Sequence, residues 1–417
     1  MDTKNISKRV VSGFISLTFR RVILLAINFA TINLLLARIL PVSTIGIFNI
    51  ANAILSFFTF FSDIGLAAAI IQKREISQED LKTTFTIQEI LALLITLVVW
   101  FSAPFLASLY NLDINGMWLI RALGLGFLLT SLKVIPSVLL ERELKFQPLV
   151  WVEILETAVF NGLLILFVYR GMQVEAFSIA TVARSLTGVA IIYLIAPWRI
   201  AFGFSKNAAR SLLSFGVPFQ ANSLLALLKD RLVPLVIARM VGSVGVGYIS
   251  WSQGLAFLPL EVMNIIIRVT FPAYSRLQDD HETLRVAIDK SLFLTTLFVY
   301  PLLFGLMAIM PSLVAHVVSS KWQPAVPLFY LFCFSTFWAT LSTTFTNVLN
   351  AVGKINITLK LMVMWTVLTW VLSPLLTLYY GFTGAAIASA LISFTSIIPV
   401  IIIRNMFKIE IIKNIWK

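Results

Sequence analysis

The chain is poor in charge, cysteine and histidine, and each shortage removes a class of protein. Only 12% of its 417 residues are charged, about half of the ~25% usual in a soluble domain, so a water-soluble globule is excluded. Cys333 is the single cysteine. No intrachain disulfide can form, and no zinc site can be built from thiolates. His281 and His316 are the only histidines, and two isolated imidazoles make no metal site. No low-complexity segment interrupts the sequence.

What is present is apolar: 59% of the residues are hydrophobic, gathered in twelve stretches long enough for the ~30 Å hydrocarbon core of a bilayer. The stretches are continuously apolar and do not alternate, which excludes an outer-membrane barrel. They must be helices, because lipid offers no partner for backbone N–H and C=O groups. The spans predicted are 14–37, 44–71, 84–103, 117–140, 149–168 and 176–197, then 212–238, 247–271, 291–318, 325–349, 361–379 and 384–403. The basic N-terminal residues Lys4, Lys8 and Arg9 resemble the start of a signal peptide. The apolar run behind them continues to Ala37 without a clear small-x-small site, and it reads as an uncleaved first span.

The second half repeats the first. At an offset of 201 residues, Ala37, Arg38 and Gly46 match Ala238, Arg239 and Gly247, while Asn49, Asn52 and Asp63 fall opposite Ser250, Gln253 and Asn264. At an offset of 210, Tyr169, Gly171, Ala176 and Ala180 match Tyr379, Gly381, Ala386 and Ala390. The fold expected is an all-α membrane protein of about twelve helices, in two six-helix parallel repeats around a central cavity. Residues 1–198 form the first bundle, 199–211 a cytoplasmic linker and 212–417 the second bundle.

The net charge of +13 suits the positive-inside rule better than nucleic acid, for which there is no basic patch interleaved with aromatics. Twenty Lys and Arg residues fall in the tails and loops of one side, from Lys4 through Arg74, Lys206 and Lys354 to Lys417. The other side holds five: Arg38, Arg121, Arg170, Arg239 and Lys321. Both termini of this multi-pass chain are therefore expected in the cytoplasm.

Polar side chains recur at helical spacing. Asn49, Asn52, Ser56, Thr59 and Asp63 are separated by steps of three and four and share one face. Ser250, Gln253, Glu261, Asn264 and Arg268 make the corresponding stripe in the second half. Arg20 lies on one face of the first span with Asn28 beside it, and the seventh span carries Asn222 and Lys229, the latter being the repeat partner of Asn28. Individual Asn, Ser and Thr residues commonly bond between packed helices. The charges weigh more: each costs at least ~2.5–3.5 kcal/mol at mid-bilayer, so Arg20, Asp63, Lys229, Glu261 and Arg268 must face water or one another. A hydrated path between the halves is the expected arrangement, with internal ion pairs as the alternative. Glu153 and Glu156, one turn apart, either hold a coupling cation or pair with Lys145 or Arg142, and pairing is favoured. Lys133 and Arg184 lie deep in spans four and six, lining the cavity or partnering other side chains. Asp230 can neutralise one of its neighbours, Lys229 or Arg231. Pro218 and Pro234 are expected to break span seven.

The segments Ala37-Arg38-Ile39-Leu40-Pro41, Asp63-Ile64-Gly65-Leu66, Ser214-Phe215-Gly216-Val217-Pro218 and Phe271-Pro272-Ala273-Tyr274-Ser275-Arg276 resemble motifs of bacterial oligosaccharide and polysaccharide flippases. These are the lipopolysaccharide and exopolysaccharide biosynthesis membrane proteins of the multidrug/oligosaccharidyl-lipid/polysaccharide exporter superfamily. The resemblance implies transport of a polyprenyl-diphosphate-linked oligosaccharide from the cytoplasmic to the outer leaflet by alternating access. It also implies H+ or Na+ coupling, a polysaccharide polymerase as partner and no cofactor. Arg and Lys suit the diphosphate, and Asn, Gln and Ser suit sugar hydroxyls. A cation-coupled multidrug exporter of the same superfamily is the alternative, disfavoured by the prominence of Arg and Lys. A membrane-embedded glycosyltransferase would need catalytic groups on a sizeable outer loop, and the outer loops here are short.

Overall fold

The computed structural model describes residues 20–21, 23–62, 64–73, 75–221 and 227–407. Asp63 and Asn222 lie outside the described residues. The described secondary structure is helical throughout. In chain order the helices are α1 (Ile23–Ile39), α2 (Val42–Phe60), α3 (Leu66–Gln72), α4 (Gln78–Leu109), α5 (Ile114–Ser131), α6 (Val134–Arg142), α7 (Phe146–Tyr169) and α8 (Val174–Ile195). They continue with α9 (Lys206–Ala221), α10 (Leu228–Ala256), α11 (Leu260–Arg276), α12 (Glu282–Val318), α13 (Ala325–Ala351), α14 (Ile355–Tyr380) and α15 (Phe382–Phe407). Ten of these are long and apolar enough to cross a membrane, namely α2, α4, α5, α7, α8, α10 and α12 to α15. The first span appears as the shorter apolar helix α1.

Several predicted spans are broken rather than continuous. Span two ends at Phe60 and resumes at Leu66, span four is divided at Leu132–Lys133 into α5 and α6, and span eight is interrupted at Phe257–Pro259. Pro41 closes α1 in an extended conformation, with φ −55° and ψ 149°. Its repeat partner 201 positions later is Gly242, which interrupts α10 at φ 67° and ψ −177°. That backbone region is essentially reserved for glycine. The same junction between consecutive spans is thus made once by proline and once by glycine. Gly171 and Gly381, partners at the second offset, likewise both take positive φ. Wide π turns also recur, at Phe29–Leu36 in the first span and Leu228–Leu232 in the seventh. In the latter case Pro234, one turn on, withholds the N–H that an ordinary helix would use.

Helix starts follow capping chemistry. Ser77 and Asp80 form a reciprocal capping box at α4, and Asp113 accepts from the Gly116 N–H at α5. The Arg142 guanidinium donates to the backbone carbonyls of Ile70 (2.8 Å) and Lys73, satisfying the end of α3.

The chain divides into two compact units, Met1–Leu235 and Val236–Lys417. The division falls between Leu235 and Val236, within the seventh predicted span. Within the first unit, α8 packs on α5 and α7, α5 on α4, and α9 on α3. Small residues allow the approach: Gly126 lies against Thr181 and Ser185, and Gly124 against Val99. In the second unit α13 is central, with Phe329, Phe332, Phe345, Val348 and Leu349 buried. It contacts α11, α12, α14 and α15.

Candidate substrate path and its charged groups

Two of the cations carried into the membrane, Arg20 and Lys133, are partnered across helices. Arg20 donates to the carboxylate of Glu153 on α7, Nη1 to Oε1 at 2.7 Å. Glu141 on α6 lies within electrostatic range of both. Lys133, at the α5–α6 break, forms an ion pair with Glu156 of α7. The Glu156 side chain is 4% exposed. Gly188 on α8 makes room for it, because a Cβ there would collide with the carboxylate. Glu153 and Glu156 therefore do pair, but with Arg20 and Lys133 rather than with the sequence-near Lys145 and Arg142. Helix geometry explains the difference: Glu153 and Glu156 follow one face of α7 toward Arg20 and Lys133, while Lys145 pairs with Glu143 at 2.5 Å and Arg142 caps α3. The Arg184 guanidinium stands over the Phe160 ring at 5.8 Å, within cation–π range.

One turn further along α7, the buried Asn161 donates to Asn28, Nδ2 to Oδ1 at 3.1 Å, and to its own helix at the Thr157 carbonyl at 2.9 Å. Glu153, Glu156, Thr157, Phe160 and Asn161 form a stripe at steps of three and four. The sequence reading isolated its two carboxylates and missed Asn161. The signal was there: α7 repeats polar residues at helical spacing just as α2 does.

On α2 the expected stripe is present, half-buried at Asn49, Asn52, Ser56 and Thr59. The Asn49 and Asn52 amides turn back onto the carbonyls of Ile45 (2.8 Å) and Phe48 (2.9 Å), and the Thr59 hydroxyl onto Ser56 (3.3 Å). The π turn carrying Lys229 packs against α2, and Gln220 donates to the Phe60 carbonyl at 3.1 Å. These contacts bring Lys229 to the helix of the asparagine stripe. Lys229 lies 3.5 Å from Asp230, the neutralisation expected within that triplet.

In the second unit, Gln253 lies on α10 and Glu261, Asn264 and Arg268 on α11. The stripe is therefore divided by the break at Phe257–Pro259. Glu261, Asn264 and Arg268 still share the α11 face at steps of three and four, with Glu261 and Asn264 half-buried and Arg268 exposed. The structure thus joins Arg20 and Asn28 to α7, joins Lys229 to α2, and groups Glu261, Asn264 and Arg268 on one helix.

Known proteins agree with this architecture. The chain is 26% identical over 373 residues to the lipopolysaccharide biosynthesis protein WzxC of Escherichia coli (strain K12), covering 87% of this chain and 74% of that protein. Its fold is similar to the solved structure of the lipid II flippase MurJ, with a TM-score of 0.74 at 12% identity over 97% of this chain and 89% of the other. It is also similar to an inward-facing multidrug resistance MATE family transporter of the MOP superfamily, with a TM-score of 0.67 at 16% identity over 93% and 94%. Residues 35–327 match the family described as polysaccharide biosynthesis protein, and this all-α, multi-pass membrane chain belongs to that family.

Proposed function

We propose that the protein is a flippase of polysaccharide biosynthesis, moving a polyprenyl-diphosphate-linked oligosaccharide from the cytoplasmic to the outer leaflet. The observation that carries this reading is the family match over residues 35–327, in a chain whose membrane spans contain Arg20, Lys133 and Lys229. A diphosphate needs cations, and Arg offers a fork that fits two phosphate oxygens. Arg20 already holds a carboxylate, that of Glu153. In the proposed cycle the diphosphate competes with Glu153 for this guanidinium, which passes from one anionic partner to the other. Asn28, Asn49, Asn52, Thr59, Asp63, Asn222, Gln253 and Asn264 serve the sugar hydroxyls. Lys229 and Arg268 provide further positive charge, balanced by Glu261.

The cycle is one of alternating access between the halves 1–198 and 212–417, driven by H+ or Na+, in an inner membrane with both termini cytoplasmic. A polysaccharide polymerase is the downstream partner, and the chain itself performs transport rather than glycosyl transfer. The MATE-like fold makes a drug exporter the second reading. Cationic path residues favour an anionic cargo over the cationic compounds of that reading.

Complementation of a flippase-deficient strain tests the proposal, with protein level measured in parallel. Arg20→Ala, Lys229→Ala and Arg268→Ala should each lower surface polysaccharide while inserting normally. Arg20→Lys should restore only part of the loss, because the fork is gone. Full surface polysaccharide from the triple alanine variant would sink the assignment.

A further inference from the structure

The segment between α8 and α9 was expected to be a cytoplasmic linker, yet its backbone is fastened along the side of α4. Trp198 stacks near Phe85 with ring centroids 5.0 Å apart, and Leu212 at the far end is fully buried in the same core. Between them the Gly203 N–H donates to the Thr86 hydroxyl and the Ser205 N–H to the Thr83 hydroxyl, both at 3.0 Å. The side chains alternate, as an extended chain requires. Ala201, Gly203 and Ser205 are half-buried, while Ile200, Phe202 and Phe204 are 52%, 68% and 68% exposed. Three large apolar side chains are thus left mainly exposed along a pinned backbone, Ile200 and Phe204 outward and the Phe202 ring also touching Phe85 with centroids 5.4 Å apart.

Their position relative to the membrane follows from α4. Its exposed apolar stripe runs Ile90, Leu93, Leu94, Leu97, Val98, Phe101, Phe105 and Leu109. At 1.5 Å per residue that stripe is about 29 Å long, the thickness of a hydrocarbon core. Thr86 and Thr83 lie one and two turns beyond its Ile90 end, about 6 and 10 Å away. That is the depth of the headgroup layer, from which a phenylalanine or isoleucine side chain reaches the acyl boundary. The segment also has the right charge. Arg199, Lys206 and Arg210 are exposed, and no acidic residue occurs from Trp198 to Leu212.

We infer that residues 199–210 are a lipid-seated strap: Ile200, Phe202 and Phe204 insert at the headgroup–acyl boundary of an anionic leaflet, and Arg199, Lys206 and Arg210 hold its phosphates. The occupant is a lipid surface because apolar side chains at this depth meet acyl chains, and because the flanking cations complement phosphate. The strap does not depend on which cargo the protein carries.

The full chain in proteoliposomes tests this, with an environment-sensitive NBD label on Phe204→Cys or, separately, Phe202→Cys. Cys333 is fully buried, and unlabelled background is checked on the parent protein. In vesicles containing phosphatidylglycerol, the label should emit at shorter wavelength than the free NBD–thiol adduct in buffer. It should be quenched by lipids carrying a doxyl group high on the acyl chain and resist aqueous iodide. In the Arg199→Gln/Lys206→Gln/Arg210→Gln background, the doxyl quenching should weaken in phosphatidylglycerol vesicles and not change in phosphatidylcholine vesicles. Monodisperse elution of each variant keeps misfolding separate from the result. Aqueous emission with strong iodide quenching in both vesicle types would overturn the proposal in favour of a free linker. Protection from both quenchers would overturn it in favour of a protein partner or a second copy.

Discussion

The two compact units use different polar chemistry inside a membrane. In Met1–Leu235 the interior helices are tied by charge, Arg20 to Glu153 far along the chain and Lys133 to Glu156 across neighbouring helices. In Val236–Lys417 the central helix α13 is threaded with hydroxyls that return to their own helix. Thr340 donates to the Thr336 carbonyl and Thr344 to the Thr340 carbonyl, both at 2.8 Å, while Thr336 also reaches the Ala256 carbonyl at 3.0 Å. An ion pair can be exchanged for another charged group or neutralised by a proton. A hydroxyl bonded back to its own helix has no such alternative and serves packing. The contrast extends to the backbone, where Pro41 and Gly242 make the same junction by opposite means.

The largest effect should come from breaking the buried pair on one side only. Glu156→Leu leaves the Lys133 ammonium without its counter-ion and should lower stability by about 3–5 kcal/mol, read from thermal unfolding in detergent. Adding Lys133→Met should recover most of that loss, since an apolar pair of similar volume removes the uncompensated charge. Equal losses in the single and double variants would mean that packing against Gly188, rather than charge, sets the cost. Next in size is the junction. Gly242→Ala forces a side chain onto φ 67° and ψ −177° and should cost about 1–3 kcal/mol. Pro41→Ala at the equivalent place should cost only about 0.4–1 kcal/mol, through the freer unfolded chain. Comparable costs at the two sites would erase the distinction between them. The smallest effect is expected on α13, where Thr340→Val should change stability by about 0.6 kcal/mol or less. A loss as large as that of Glu156→Leu would show that the hydroxyls of the second unit bear as much as the charges of the first.

The helices were legible because lipid forces each span to be apolar over a fixed length, and that constraint is written residue by residue. Repeat positions were legible for a related reason. The offset that aligns Asn28 with Lys229 also aligns Pro41 with Gly242, and both pairs fall on comparable local features, π turns and junctions respectively. The stripe on α2 keeps Asn49, Asn52, Ser56 and Thr59 on one helix, with Asp63 outside the described residues, while that of the second half is divided, because its phase was carried through Phe257–Pro259 as if the helix were continuous. A break changes the rotation between its two sides, and no periodicity measured across it can recover the new phase.

By itself the sequence determined that this is a helical, multi-pass membrane protein with an internal repeat and an uneven distribution of basic residues. Those properties depend on composition and period, which are local. The tertiary structure decided which charges meet. Glu153 was closest in sequence to the cations of the α6–α7 turn, yet it reaches Arg20, 133 residues away. Glu156 reaches Lys133 because Gly188, on a third helix, leaves the space. Tertiary structure also decided that residues 199–210 lie against α4 instead of in water, through two threonine hydroxyls that meet their partners only once the helices have packed. Pairing inside a bilayer is set by helix rotation and proximity, and both are properties of the assembled bundle rather than of any one span.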